Sequence, residues 1–166
     1  MYDELTEVDI KKMQEEIDHR ILVLRPQYIK DVQEARAFGD LSENFEYKEA
    51  KRQKNRNESR IRYLQRMIRT ARVVKTDHAE GKMGLFDHIR LVDEDGDEME
   101  VQMVTTLRVD AGGGHISRES PLGRAIFGRR VGETVTVQVN ADVSYPVTIR
   151  AIRPGADDDS LPISQY

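Results

Sequence analysis

The sequence contains no cysteine and no tryptophan, and aromatic residues make up 6% of its 166 positions. The absence of cysteine excludes a disulfide framework and a thiol nucleophile, and it is compatible with a reducing compartment. No apolar run approaches the roughly 18 residues that a membrane span needs. The acidic segment Met1–Asp9 also lacks the apolar core of a secretory signal. We therefore expect a cytoplasmic protein that does not associate with membranes.

Charged residues are abundant, at 34% of the chain, but they are unevenly distributed. Residues 44–75 carry 11 Lys and Arg against 3 Asp and Glu, whereas residues 1–43 carry 6 against 11 and residues 76–166 carry 9 against 16. A polyanion is a natural partner for the basic middle segment. The alternative is that this segment pairs its cations with the acidic first segment, because antiparallel helices often pair their flanking charges.

Two long helical patterns flank one short break at residues 39–47, with the sequence GDLSENFEY. The first predicted helix runs from Thr6 to Phe38, with a kink or local break at Pro26 because proline removes a backbone donor. The second runs from Phe45 to Val73. Both carry seam positions at steps of three, four or seven, which is typical of an antiparallel coiled coil. These positions are Ile10, Ile17, Ile21, Leu24, Tyr28, Ala35 and Phe38 in the first helix, and Ala50, Lys54, Asn57, Ile61, Leu64, Ile68 and Ala71 in the second.

The pattern of the second half of the chain predicts a small sheet domain, so the predicted class is α+β. Residues 1–75 form the coiled-coil hairpin with its tip at 39–47, residues 76–84 a linker, residues 85–153 an antiparallel sheet with one short helix, and residues 154–166 a flexible tail. The predicted strands are Leu85–Val92, Met99–Leu107, Thr134–Val139 and Tyr145–Ile152. Ser120 followed by proline predicts the start of the short helix. The Gly112–Gly114 run and the acidic tail receive no function.

Asp40 and Glu43 at the break allow two interpretations. Aspartate at an N-cap with glutamate three residues later is close to a capping box, worth about 1 kcal/mol of helix stability. Carboxylates also bind Mg²⁺, and sites that act on phosphates often supply only one or two of them. Two carboxylates at the end of a thin rod would then complete a site in a partner. The motif by itself favours capping.

The stretch Glu34–Tyr47 resembles the tip of the bacterial Gre transcript-cleavage factors, and Ser120–Gly128 with Val131–Glu133 resembles their C-terminal domain. The resemblance covers about residues 6–153, although Phe45 stands where the family usually has a small residue. It implies an FKBP-like C-terminal domain and an accessory factor, without catalytic activity of its own, that binds bacterial RNA polymerase. Such a factor inserts its coiled coil in the secondary channel and stimulates Mg²⁺-dependent endonucleolytic cleavage of backtracked nascent RNA, which rescues arrested complexes. We expect a monomer.

The resemblance also implies roles for individual residues. Asp40 and Glu43 would be the catalytic pair and would share a Mg²⁺ ion with the polymerase, with no metal in the isolated protein. The residues that support the tip would be Gly39, Leu41, Ser42, Asn44 and Tyr47. The basic patch that contacts the RNA 3′ end would be Arg36, Lys51 and Arg52. The residues that dock on the polymerase would be Pro121, Leu122 and Phe127. Simple packing is the alternative for Tyr47, Leu122 and Phe127.

Two other functions stay open at this point. A Gre-like regulator would occupy the polymerase channel and inhibit without cleavage, but the intact Asp40 and Glu43 argue against it. An FKBP-like isomerase or chaperone would need an aromatic-lined pocket, and the domain offers little to build one, since its only aromatic residues before the tail are Phe86, Phe127 and Tyr145. A free-standing nuclease is disfavoured, because two tip carboxylates without a cleft cannot exclude water or orient a substrate.

Overall fold

The structure, a computed structural model, describes residues 3–39, 44–76, 81–157 and 160–165. Its helices are α1 (Glu7–His19), α2 (Arg25–Arg36), α3 (Phe45–Thr70) and α4 (Pro121–Ile126). Its strands are β1 (Glu4–Leu5), β2 (Arg72–Val73), β3 (His88–Val92), β4 (Glu98–Val104), β5 (His115–Ser117), β6 (Thr134–Gln138) and β7 (Ser144–Arg153). The chain separates into two compact units, Ile10–Ala71 and Met1–Asp9 with Arg72–Gln165. The predicted α+β class is confirmed. Within the described ranges, no helix is long and apolar enough to cross a membrane.

Pro26 lies just after an interruption of the first helical arm. Between α1 and α2 the chain forms a π-helical turn, Arg20–Leu24, in which the N–H of Arg25 donates to the carbonyl of Arg20, five residues earlier. Proline has no N–H and crowds the carbonyl four residues before it, so a wider turn at this point relieves the helix. The local break predicted at Pro26 is confirmed, and it takes the form of a π-helical turn.

The hairpin buries part of the predicted seam. The buried apolar members are Ile17, Ala35, Ile61 and Leu64. Phe38, predicted to end the seam of the first arm, is instead 73% exposed. The reason is that α2 ends at Arg36, so the backbone leaves the helical path before it reaches Phe38. Val73, predicted to be helical, lies in β2, because α3 ends at Thr70.

Polar contacts within the hairpin align its two arms. Arg20 Nη1 donates to Asn57 Oδ1 at 2.9 Å, and Asn57 Nδ2 donates back to the Arg20 carbonyl at 3.2 Å. Arg60 Nε donates to Glu16 Oε2 at 2.9 Å. Asn57 and Arg60 are both buried. Because a buried polar group is costly without its partner, these pairs favour one register of the arms. The pairing between the basic middle segment and the acidic first segment, which the sequence left open, occurs at Arg60 and Glu16.

A second ion pair joins the arms closer to the apex. Arg25 Nε and Nη2 donate to the two carboxylate oxygens of Glu58 at 2.7 and 3.0 Å. These hydrogen bonds, with a smaller contribution from charge attraction, lower the pKa of Glu58 against the opposing effect of partial burial. The pair therefore stabilises the hairpin while Glu58 is ionised.

The globular unit is built on a five-stranded sheet with the order β5-β4-β3-β7-β6. The pairs β3–β4, β3–β7 and β6–β7 are antiparallel. One edge departs from the predicted antiparallel arrangement, since β4 and β5 are parallel. The chain reaches β5 through two 3-10 turns, Thr106–Arg108 and Ala111–Gly113, and a parallel partner needs such a crossover. The strand predicted from Leu85 begins only at His88, because Phe86 has a φ of 68°, which a strand does not accommodate.

The short helix predicted after Ser120 is confirmed as α4. The Ser120 hydroxyl accepts the N–H of Gly123 at 3.0 Å, and Pro121 occupies the first helical position. Gly123 is required by close packing, since a Cβ there would lie 1.9 Å from the Ser117 carbonyl oxygen. Ile126 is fully buried in the core that the helix shares with the sheet.

A buried charge cluster joins three distant segments of the globular unit. The fully buried Arg108 donates from Nε to Asp9 Oδ1 at 2.6 Å, and its Nη1 lies 2.6 Å from Asp157 Oδ1. Ser164, further along the tail, donates its hydroxyl to the Leu107 carbonyl at 2.7 Å. The tail predicted to be flexible from residue 154 therefore makes defined contacts in its described residues.

Candidate functional site

The apex of the hairpin is the candidate site. Four of its predicted residues, Asp40, Leu41, Ser42 and Glu43, lie outside the described residues, and their roles stay predictions. Gly39, which precedes them, has a φ of 123°, and no atom of the described residues beyond its chain neighbours lies within 4 Å of the position that a Cβ would take. The backbone conformation therefore favours glycine at the end of the first arm.

Asn44 fixes the start of the second arm. Its Oδ1 accepts the N–H of Tyr47 at 3.1 Å as the N-cap of α3, and its Nδ2 donates to the Ala35 carbonyl in α2 at 2.7 Å. One side chain thus caps one helix and satisfies a terminal carbonyl of the other. The sequence allowed a capping box formed by Asp40 and Glu43. That interpretation is wrong for α3, because Asn44 occupies the N-cap.

Tyr47 brings two of the predicted cations together. The guanidinium carbon of Arg36 lies 5.8 Å from the Tyr47 ring centroid, and Lys51 Nζ lies 5.5 Å from it. Both distances are within the range of cation–π attraction. Hydrogen bonding from Arg36, followed by the charges of Lys51, Arg36 and Lys54, lowers the pKa of the Tyr47 phenol against the opposing effect of partial burial. We call Arg36, Tyr47 and Lys51 the tip cluster. Tyr47 is half-buried, so it combines packing with the placement of cations.

Arg52 lies apart from the tip cluster. Its Nη1 donates to Glu49 Oε2 at 3.0 Å on an exposed face of α3. Tyr47 and Lys51 are four residues apart and therefore share a helix face, whereas Arg52 is rotated by one further residue. Of the three cations predicted to contact RNA, Arg36 and Lys51 lie together at Tyr47, and Arg52 lies on a different face of α3.

The three predicted docking residues differ in exposure. Pro121 is exposed, whereas Leu122 and Phe127 are half-buried and pack against the sheet core. Phe127 also lines a cavity of about 480 Å³ within the globular unit, and the Arg118 guanidinium lies 4.4 Å from its ring centroid. Thr105 Oγ1 in the cavity wall is buried and has no hydrogen-bond partner among the described residues. Sequence reasoning missed Arg118 and Thr105, and no motif marks either of them.

The described residues alone do not form a metal centre. No group of three or more His, Asp or Glu side chains in the described ranges is placed to hold a metal ion. The predicted ligands Asp40 and Glu43 fall outside these ranges. Their carboxylates are oxygen donors of the kind that Mg²⁺ prefers, and a pair of them fits a partial site that other oxygen ligands complete.

Comparison with known families accounts for both units of the chain. Residues 4–73 match a model described as "Transcription elongation factor, N-terminal", and residues 78–154 match "Transcription elongation factor, GreA/GreB, C-term". The chain belongs to the GreA/GreB family of transcription elongation factors. The first GreA/GreB match contains the whole apex, and the second contains the sheet and α4. The family membership predicted from the two sequence blocks is confirmed.

Curated members of the GreA/GreB family cover most of the chain. "Transcription elongation factor GreA" of Caldanaerobacter subterraneus is 37% identical over 84% of this chain and 90% of its own length. The protein of the same name from Agrobacterium fabrum is 38% identical over 80% of this chain and 85% of its own length. Among solved structures, GreA factor homolog 1 of Thermus thermophilus is 23% identical, covers 93% of this chain and 100% of its own, and gives a TM-score of 0.43.

Proposed function

We propose that this GreA/GreB-family chain is a transcript-cleavage factor that binds bacterial RNA polymerase. Its hairpin enters the secondary channel, and its apex stimulates Mg²⁺-dependent endonucleolytic cleavage of backtracked nascent RNA, which rescues arrested complexes. The chain acts as a cytoplasmic, monomeric accessory factor. Hydrolysis takes place in the polymerase active site, and the chain has no catalytic activity of its own.

The observation that carries this proposal is the N-cap of α3. Asn44 binds the N–H of Tyr47 and the carbonyl of Ala35, so the start of α3 does not depend on a carboxylate from Asp40 or Glu43. Carboxylates that capping does not require are available as metal ligands. A thin hairpin offers no cleft that would exclude water. An acidic pair at its apex therefore suits a site that a partner completes.

The residues at the apex have separate parts in this proposal. Asp40 and Glu43 hold a magnesium ion shared with the polymerase, and such an ion activates a water nucleophile and stabilises charge on the phosphate. Arg36 and Lys51 of the tip cluster bind RNA phosphates through charge and hydrogen bonds. Tyr47 supports the proposal because its ring keeps these two cations side by side.

Cleavage of 3′-labelled RNA in backtracked elongation complexes tests the proposal. The wild-type chain is expected to release 3′ fragments when Mg²⁺ is present. Asp40→Ala and Glu43→Ala are expected to bind the polymerase but to lose stimulated release. Glu46→Ala is the matched control, because Glu46 is an exposed carboxylate in the first turn of α3. This control should cleave as well as the wild type.

The same assay separates the proposed function from the inhibitory alternative. A wild-type chain that binds, slows nucleotide addition and releases no fragment would be a channel-blocking regulator, and the cleavage function would be wrong. Full cleavage by both apex variants would also contradict the proposal, because it would show that neither carboxylate is needed.

A further inference from the structure

Phe45 is the most exposed large hydrophobic side chain among the described residues, at 82%. It is the first residue of α3 and directly follows the N-cap Asn44. Helix formation does not explain a phenylalanine there, since aromatic residues are weaker helix formers than alanine. A single exposed apolar residue is common on protein surfaces. The neighbours of Phe45 therefore decide whether it belongs to a site.

Cations follow Phe45 along one face of α3. Lys48 Nζ lies 5.9 Å from the centroid of the Phe45 ring. Arg52 and Arg56 follow at seven and eleven residues after Phe45, which returns them to the same helix face. All four side chains are exposed. We call Phe45, Lys48, Arg52 and Arg56 the outer stripe.

The ion pair between Arg52 and Glu49 does not remove Arg52 from this surface. The side chains are 69% and 51% exposed, so water screens their attraction and the pair is weak. A phosphate can therefore compete with Glu49 for the guanidinium. The outer stripe thus presents one aromatic face next to a row of accessible positive charge.

The outer stripe is distinct from the tip cluster. Tyr47 stands two residues after Phe45, which turns it by about 200° around the helix axis. The half-buried Tyr47 ring already has Arg36 and Lys51 next to it. Of the two aromatic residues in the first turn of α3, Phe45 is therefore the one with an accessible face.

Proteins that bind single-stranded nucleic acid combine aromatic side chains, on which bases stack, with cations that follow the backbone. We propose that the outer stripe binds single-stranded RNA, with a base stacked on Phe45 and phosphates on Lys48 and Arg52. The inference rests on the proposed function, because extruded RNA is the strand that the apex would meet. About 10 Å of helix axis separates Phe45 from Arg52, which leaves room for a base and its neighbouring phosphates. An acidic protein surface would satisfy the cations but would leave the aromatic face without a partner.

Fluorescence anisotropy with the full chain and a short single-stranded oligoribonucleotide tests this site without the polymerase. The same oligoribonucleotide with abasic nucleotides keeps the phosphates and removes stacking. Phe45→Ala should weaken binding to the intact RNA about tenfold and should leave binding to the abasic RNA unchanged. Phe45→Tyr should restore the affinity. Lys48→Ala should weaken binding to both RNAs and lower the salt slope by about one unit.

Leu22→Ala is the matched control, because Leu22 is 74% exposed and lies in the π-helical turn, away from the outer stripe. It should bind both RNAs like the wild type. No binding by the wild-type chain at low salt, an unchanged affinity of Phe45→Ala, or an equal loss on both RNAs overturns the proposal. A Phe45→Ala variant that loses affinity only for the polymerase also overturns it, since the contact would then be with protein.

The outcome is separate from that of the cleavage assay. Asp40→Ala tests the metal ligands and leaves the outer stripe intact. If the wild-type chain does not stimulate cleavage but its RNA binding depends on Phe45 and on the base, the proposed function is wrong and the RNA site is supported. If cleavage occurs and RNA binding does not depend on Phe45, the proposed RNA site is wrong and the proposed function is supported.

Discussion

Replacing Asn44 with alanine should loosen the apex without unfolding the protein. The substitution removes the acceptor for the Tyr47 N–H and the donor to the Ala35 carbonyl, so each arm of the hairpin loses a hydrogen bond at its end. Helix ends open locally at much lower cost than the whole fold. The effect is therefore expected in the local opening of the apex, while the bulk of the chain stays folded.

The size of the effect follows from the two bonds. Loss of an N-cap costs about 1 kcal/mol. Loss of the second hydrogen bond costs about 1 kcal/mol more, the usual net contribution of one such bond, because the Ala35 carbonyl still accepts the Phe38 N–H. A total of about 2 kcal/mol corresponds to a roughly 30-fold increase in the opening equilibrium of the apex.

Hydrogen exchange of the Tyr47 amide, measured by NMR on the full chain, reports this opening. Asn44→Ala should accelerate the exchange about 30-fold, whereas Asn44→Asp, which keeps the acceptor and loses the donor, should accelerate it only about fivefold. Asn55→Ala is the control, because Asn55 is an exposed asparagine of the same helix. An exchange rate in Asn44→Ala within about twofold of the wild type would refute the reasoning.

Two further predictions concern charged pairs. Glu58→Gln should lower the melting temperature at neutral pH, because Arg25 stabilises only the ionised carboxylate of Glu58. The difference in melting temperature from the wild type should disappear as the pH falls through the lowered pKa of Glu58. Melting curves at several pH values check this, and a difference that persists in acid would contradict it. Arg108→Leu should cost about 3–5 kcal/mol of unfolding free energy, because it leaves two buried carboxylates without their cation. Denaturant unfolding measures the loss, the exposed Arg150→Leu is the control, and a loss below about 1 kcal/mol would show that the buried charges find other compensation.

The parts of the fold that the sequence predicted correctly carry local signals. Apolar residues at helical spacing located both arms of the hairpin, since that spacing reports which face of a helix is buried. Pro26 predicted the break in the first arm through its missing donor. Ser120 and Pro121 predicted the start of α4 because each suits one position of a helix N-terminus.

The missed features depend on residues that are far apart in the sequence. Aspartate and asparagine are equally good N-caps. The choice of Asn44 over Asp40 depends on where α3 begins, which in turn involves the Ala35 carbonyl on the other arm. The pair of Arg108 with Asp9 spans 99 residues. No periodicity or short motif reports contacts of this kind.

The identity of the capping residue also bears on how an acidic apex can work on RNA. A carboxylate that caps a helix gives its lone pairs to backbone N–H groups, and those lone pairs are the ones that a metal ion needs. The neutral amide of Asn44 removes that competition, since it serves both arms with one acceptor and one donor. Carboxylates would still repel the phosphates of RNA, and the cations of the tip cluster and the outer stripe offset that repulsion. In the proposed function, the acidic pair can therefore bind metal next to RNA because Asn44 caps the helix and neighbouring cations attract the phosphates.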